Sequence, residues 1–300
     1  LLWPSVIGVV VLYAMIWLCQ AVPITLPDSV FGMNPTTQWI LLLFIYAGIA
    51  SLLPVWVLLQ PRDYINGLQL FVGLILLYGA TVLAGPSIVV PAFNTDVPPG
   101  TPSFIPLLFV TIACGAVSGF HGLVSSGTSS KQLNKETDAR FVGYFGAVGE
   151  GMLALAAIVC ATAGFASLEA WKGVYTQFSA GGVNAFVEGG ANILSNGIGL
   201  DVGISATILT VMAALFAGTT MDTGLRLQRY VVQEVGEITG AAPLKSGMGA
   251  TFIALACCLA LAFGAGSGGT GGMLIWPLFG TTNQLLAGLT LSIIAVMLMR

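Results

Sequence analysis

The side chains best equipped for chemistry in this chain stand inside its most apolar stretches. His121, the only histidine, sits in the run Cys114-Gly115-Ala116-Val117-Ser118-Gly119-Phe120-His121-Gly122-Leu123-Val124-Ser125-Ser126-Gly127-Thr128-Ser129-Ser130. Glu150 lies in a second such stretch, flanked by Gly143, Gly146, Gly149 and Gly151. An amide pair, Asn283 and Gln284, follows Trp276-Pro277-Leu278-Phe279-Gly280 in another, and Thr219, Thr220 and Asp222 gather oxygen atoms at the end of a further one. An imidazole and a carboxyl in a low-dielectric layer form an acid and base pair suited to proton uptake. Glu150 is thus the expected proton-coupling carboxylate with His121 as its partner; the alternative is a buried glutamate satisfied by serine or backbone neighbours. Asn283 and Gln284 line a polar route or glue helices together. Thr219, Thr220 and Asp222 hold a small cation, or Asp222 caps a helix.

The setting of these groups follows from composition. Hydrophobic residues make up 56% of the 300 positions and charged residues 7%, against roughly a quarter charged in a soluble domain. Too few charges are present to cover a water-facing surface, and lipid is the expected solvent. The net charge is only -3 and the nine basic residues are scattered, which excludes a nucleic-acid footprint. Cys19, Cys114, Cys160, Cys257 and Cys258 show no metal-ligand spacing.

Apolar runs of spanning length, about 20 residues, lie near residues 3–22, 38–59, 66–84, 104–129, 141–164, 201–221, 247–265 and 273–299. The expected fold is therefore all-α and polytopic, with about eight transmembrane helices. With the N-terminus inside, Arg62, Lys131, Lys135, Arg140, Arg226, Arg229, Lys245 and Arg300 fall on the cytoplasmic side and only Lys172 outside, as the positive-inside rule requires. His121 precedes Lys131 by ten residues and Glu150 follows Arg140 by ten. At about 1.5 Å per residue both then sit roughly 15 Å from the inner edge, at one depth on consecutive antiparallel helices.

The glycines and hydroxyls of residues 114–130 predict a broken or re-entrant fourth span, since unwound backbone lining a cavity marks transporter binding sites; close packing through Gly115 and Gly119 is the other reading. Pro277 is expected to kink the eighth span. Residues 1–300 read as one transporter domain. Within it, 165–200 forms an external loop carrying a short surface helix at 183–196, with Val183, Phe186, Val187 and Leu194 on one side. Residues 222–246 form a cytoplasmic amphipathic helix, capped by Asp222, with Leu227, Tyr230, Val231, Val235 and Ile238 on its apolar face and Arg226, Arg229, Gln233 and Glu237 on its polar face. The glycine-rich Gly264–Gly269 fits a dinucleotide pattern but follows a membrane helix rather than a strand, so it is a loop. No nucleophile elbow or HExxH helix appears, and an enzyme is not expected.

The residues also carry a resemblance. CGAVSGFHGLVSSGTSSKQLNKETDARFVGYFGAVGEGMLALAA (Cys114 to Ala157), WVLLQPRDYIN (Trp56 to Asn66), TTMDTGLRLQR (Thr219 to Arg229) and WPLFGTTNQLLAGLTL (Trp276 to Leu291) resemble the carbon starvation protein A family, in its order. The resemblance implies a bacterial inner-membrane secondary transporter with a LeuT-like inverted-repeat core, taking up peptides or pyruvate during nutrient limitation. It places the family's motifs on Ser118–His121, Ser125–Thr128, Glu150, and Asn283 with Gln284. Members carry an N-terminal portion with a paired-histidine helix that is not found here, so the chain reads as incomplete at its N-terminus, and Gly122 stands where serine is common.

The expected function is a proton-coupled symporter for small carboxylate nutrients, peptides or pyruvate, in contact with membrane lipids. Ser118, Gly119, His121, Ser125, Ser126, Thr128, Asn283 and Gln284 bind the substrate. A proton, or sodium, is the coupling ion, and no cofactor or metal is expected. A carboxylate substrate would suit a half-helix N-terminus in the break. A nutrient sensor binding the same solutes without flux is the alternative; a passive channel would lack a protonatable group such as Glu150. Nothing in the residues specifies an oligomeric state.

Overall fold

The computed structural model describes residues 2–98, 101, 103–176 and 181–299. Leu1, Arg300, residues 99, 100 and 102 between the third and fourth apolar runs, and residues 177–180 of the expected 165–200 loop lie outside them. Among the described residues the regular elements are helices: α1 (Leu2–Ala21), α2 (Pro35–Leu52), α3 (Leu59–Ala84), α4 (Phe104–Ala116), α5 (Gly119–Gly127), α6 (Asp138–Ala163), α7 (Leu168–Val174), α8 (Gly181–Ile198), α9 (Val202–Thr239), α10 (Ala242–Lys245), α11 (Gly247–Phe263) and α12 (Trp276–Leu298). Each of the expected apolar runs overlaps helix, only in part at 38–59 and 104–129. Six described segments, Trp3–Ala21, Pro35–Leu52, Leu59–Ala84, Asp138–Ala163, Val202–Thr239 and Gly271–Leu298, are long and apolar enough to cross a membrane. The fourth run is split into α4 and α5, and α11 has 17 residues.

Turn chemistry sets several helix starts. The Asn34 side chain accepts from Thr37 N at 2.8 Å and Pro35 occupies the first helical position of α2, a combination that satisfies one orphan donor and removes another. α3 begins at Leu59 rather than near Asn66, because Pro61 falls in its first turn, where a missing N–H is no loss. The same reason corrects the expected kink at Pro277: it lies in the first turn of α12 and starts the helix.

The chain divides into two compact units, each assembled from three separated segments. The first contains Leu1–Thr25, Val55–Thr101 and Arg140–Thr220, the second Leu26–Pro54, Pro102–Ala139 and Met221–Arg300. In the first unit the core is formed by Leu74, Leu77 and Ala80 of α3, Ala156 and Cys160 of α6, Ile193 and Leu194 of α8, and Leu209 and Met212 of α9. α8 is thus a core helix, not the surface helix expected. Phe186, Val187 and Leu194 do face that core, while Val183 is exposed. The small residues of α8 explain the difference: a Cβ on Gly189 would stand 1.9 Å from the Cys160 carbonyl oxygen, so only glycine lets α8 reach α6. In the second unit α11 packs on α2, and α12 packs on α4 and α5; Ala47, Leu225 and Ala254 form a small core.

α9 corrects two expectations. It is one 38-residue helix, about 57 Å long at 1.5 Å per residue, so Asp222 lies in its interior and caps nothing. Its arginines are also buried in protein instead of lying on the water-facing side of an interfacial helix. Leu225, Arg226 and Arg229 are buried against protein, while Tyr230, Val231, Val235 and Ile238 are exposed. In an apolar solvent the protein interior is the favourable place for a guanidinium, and the apolar stripe turns outward.

Gly189→Ala is expected to lower the midpoint of thermal unfolding in detergent, by an amount set by an overpacking cost of about 1–3 kcal/mol. Gly143→Ala, where an added Cβ meets nothing within 4 Å, leaves it unchanged or raises it. Equal behaviour of the two variants would contradict the role given to α8.

Candidate functional site

The break between α4 and α5 is closed from a third helix. Ser118, in extended conformation, caps α5: its Oγ accepts from His121 N at 3.4 Å, and its carbonyl takes Gly122 N at 3.3 Å. The Phe120 N–H donates to Asn283 Oδ1 at 2.7 Å, and the Asn283 Nδ2 donates to Ser118 Oγ at 3.2 Å. Beside it, the Gln284 amide donates to the Phe109 carbonyl of α4. The amide pair of α12 therefore holds both sides of the interruption, one side chain to each half-helix. This approach demands glycine: a Cβ on Gly119 would lie 2.4 Å from the Asn283 carbonyl oxygen and 2.7 Å from Ala287 N.

The remaining residues of the segment divide by face. Gly119 is buried against α12, and Gly122 meets Thr290 of the same helix. His121 and Ser125, one turn apart, are exposed, as is Ser126, whose hydroxyl donates to the Leu123 carbonyl at 3.2 Å. Thr128 is buried at the C-terminal end of α5. Two of the leading donors of α5 are already engaged by Asn283 and Ser118, so a ligand reaching this segment meets the imidazole and hydroxyls of the open face first.

Glu150 belongs to the first unit and His121 to the second. Glu150 is exposed on α6 and lines a groove of about 560 Å³ whose other walls are almost wholly apolar, including Leu70, Phe71, Tyr78, Phe145 and Met152. The Tyr78 hydroxyl donates to the Met152 carbonyl at 2.6 Å and ties α3 to α6 beside the carboxylate. A lone carboxylate in such a wall stays only where water or a polar partner reaches it.

Of the oxygen cluster on α9, Thr219 and Thr220 donate to their own helix, at Leu215 O (3.1 Å) and Phe216 O (3.0 Å). Thr219 also accepts from the buried Asn66 amide of α3 at 2.9 Å. Asp222 belongs to the second unit, is 1% exposed and accepts from the Tyr46 hydroxyl at 3.3 Å. One turn on, the Arg226 Nη2 donates to the carbonyls of Ala50 (3.0 Å) and Leu53 (2.9 Å) at the end of α2. These acceptors have no further turn of their own helix to serve them, and a cation suits a helix C-terminus. The Arg229 guanidinium lies 4.9 Å from the Tyr230 ring centre. No group of three or more potential metal ligands occurs among the described residues.

Sequence reasoning missed the Tyr46–Asp222 contact and the seating of Arg226 on α2, although an offset of four residues already places Asp222 and Arg226 on one helical stripe. It also passed over Gln69, isolated in the run Leu68-Gln69-Leu70, whose amide is buried with neither end hydrogen bonded, and Ser205, buried likewise.

The sequence profile described as "Carbon starvation protein CstA" matches residues 1–172 and 165–300. "Peptide transporter CstA" of Helicobacter pylori (strain ATCC 700392 / 26695) is 33% identical over an alignment of 309 residues, covering 85% of this chain and 44% of that protein. "Peptide transporter CstA" of Escherichia coli (strain K12) is 33% identical, with coverages of 85% and 44%. "Pyruvate/proton symporter BtsT" of the same strain is 30% identical, covering 99% of this chain and 51% of its own length. The chain thus spans about half the length of the curated relatives it matches. No solved structure matches it. The chain is a multi-pass membrane protein and belongs to the carbon starvation protein CstA family.

Proposed function

We propose that this chain forms part of a proton-coupled secondary transporter importing small carboxylate nutrients, peptides or pyruvate, across the bacterial inner membrane. The observation that carries the reading is the interrupted α4–α5 helix, bridged by Asn283 and Gln284 and presenting His121 and Ser125 on an exposed face. A continuous helix would satisfy every backbone group internally at no cost in specialised side chains; a maintained break in an apolar layer points to a use for the exposed groups. The names of the relatives, transporters of peptide and of pyruvate with a proton, suit the same chemistry. In this reading eight crossings, with α4 and α5 together as one, place the N-terminus in the cytoplasm within a LeuT-like repeat core.

The substrate carboxylate is bound by the His121 and Ser125 face, with Ser126 and Thr128 nearby on the same short helix. Asn283 and Gln284 position that helix rather than meeting the substrate. Glu150 supplies the coupling proton site, from a helix whose outer surface is otherwise apolar. A sodium site at Thr219, Thr220 and Asp222 is the weaker option, because both threonine hydroxyls are already committed to their own helix.

The transport reading is tested by uptake of labelled pyruvate, and separately of a labelled dipeptide, into proteoliposomes with and without an inward proton gradient. Accumulation that a protonophore collapses is expected; binding without accumulation of either solute would favour the sensor. Glu150→Gln should abolish gradient-driven accumulation while leaving protein yield and unfolding midpoint within error, and unaltered accumulation would remove its coupling role. Asn283→Leu strips the Phe120 N–H of its acceptor, a loss of about 1–3 kcal/mol. Both the unfolding midpoint and uptake should fall, whereas Asn283→Asp keeps the acceptor and should retain more of each. Identical behaviour of the two substitutions would rule out the clamp.

A further inference from the structure

Away from these spans, the first unit contains a cavity of about 570 Å³ lined by Asp96, Trp171, Lys172 and Tyr175, with Asn94 and Thr176. Its size falls within the roughly 300–1,000 Å³ of small-molecule sites. An ion pair and a pair of aromatic rings line it. Lys172 Nζ and Asp96 Oδ2 stand 2.5 Å apart, and the Trp171 and Tyr175 rings are 4.5 Å apart at 32°. The Trp171 indole N–H donates to the Ala161 carbonyl at 3.0 Å, which fixes the aromatic wall to the end of α6. The Asp96 N–H donates to Asn94 Oδ1 at 3.1 Å, which orders the opposite wall.

The pair has capacity to spare. Asp96 uses one carboxylate oxygen on Lys172, and an ammonium carries three donors. The Lys172 hydrogen bond and charge hold the Asp96 carboxyl below its ordinary range, so it stays ionised near neutrality. The side chains are 44% and 76% exposed for Lys172 and Asp96, open to a ligand. The segments that meet here follow the third and the fifth apolar runs, two crossings apart, so they emerge on one side of the membrane; with the N-terminus inside, that side is external.

We propose that this cavity is an external capture site for zwitterionic peptides. Lys172 takes the peptide's carboxylate, Asp96 takes its ammonium, and the Trp171 and Tyr175 rings cover an apolar side chain or the ammonium itself. The ion pair keeps its own contact and gains two charge-assisted ones from the peptide's ends. A keto acid such as pyruvate, which has no ammonium, leaves Asp96 unanswered and is held less well. The substrate class rests on the transport reading, and the site favours peptides within it.

The test is calorimetric titration of the purified chain in detergent with the dipeptide Ala-Phe, its N-acetylated form, and pyruvate. Ala-Phe should bind at least tenfold more tightly than either control, and Lys172→Gln and Asp96→Asn should each weaken it at least tenfold. The exchanged pair Asp96→Lys with Lys172→Asp should recover most of the loss. Absence of Ala-Phe binding, equal binding of the acetylated peptide, or unchanged affinity in both single variants would overturn the proposal. Uptake with an unaltered KM in those variants would remove the capture site and leave transport standing. Binding that the variants abolish, without uptake by the wild-type chain, would do the reverse.

Discussion

The structure depends on how an apolar medium treats an unpaired backbone group. At the junction of α4 and α5 the helical ladder stops, and the N–H groups that begin α5 must find acceptors without water. Asn283 and Ser118 provide them. The contact reaches further than its own hydrogen bonds, because it fixes where α12 crosses, requires a glycine at 119, and turns the opposite face of α5, with His121 and Ser125, away from its packing partner. The proposed site for a polar solute rests on this local backbone requirement.

The same constraint orders the buried charges. Arg226 occupies the C-terminal end of α2 and satisfies carbonyls that have no further turn to serve them, while Asp222 and Tyr46 meet one turn earlier. Leaving a buried polar group of this kind without its partner typically costs about 1–3 kcal/mol, and more where the group is charged. α9 therefore contributes position to the second unit through its polar stripe and contact with the surroundings through its apolar one, the inverse of a helix in a water-soluble protein.

Much of this was legible in the residues. Apolar run length located the helices, and the density of glycine and hydroxyl residues from Gly115 to Ser130 located the break, because both signals are local. What failed was inference that needed the identity of the solvent or a distant partner. Arg226 is buried on carbonyls of α2, far away in the sequence, and Pro277 was taken as a kink because the helix start at Trp276 depends on the turn before it. α8 was read as a surface helix since its burial comes through glycines such as Gly189, which carry no hydropathy signal. The role of Asn283 was left open between polar route and helix glue, and its contacts with Ser118 and Phe120 identify what it holds together.

The central claim is that the open face of α5 borders water inside the membrane and meets substrate there. Cysteine placed at Ser125 or at His121, in a background with the native cysteines replaced, measures this directly through labelling in intact membranes by a charged, membrane-impermeant thiol reagent. The account predicts modification at both positions, slowed by saturating dipeptide or pyruvate. Labelling by a lipophilic maleimide alone, with no protection by either solute, would show that this face looks onto acyl chains and would contradict the account.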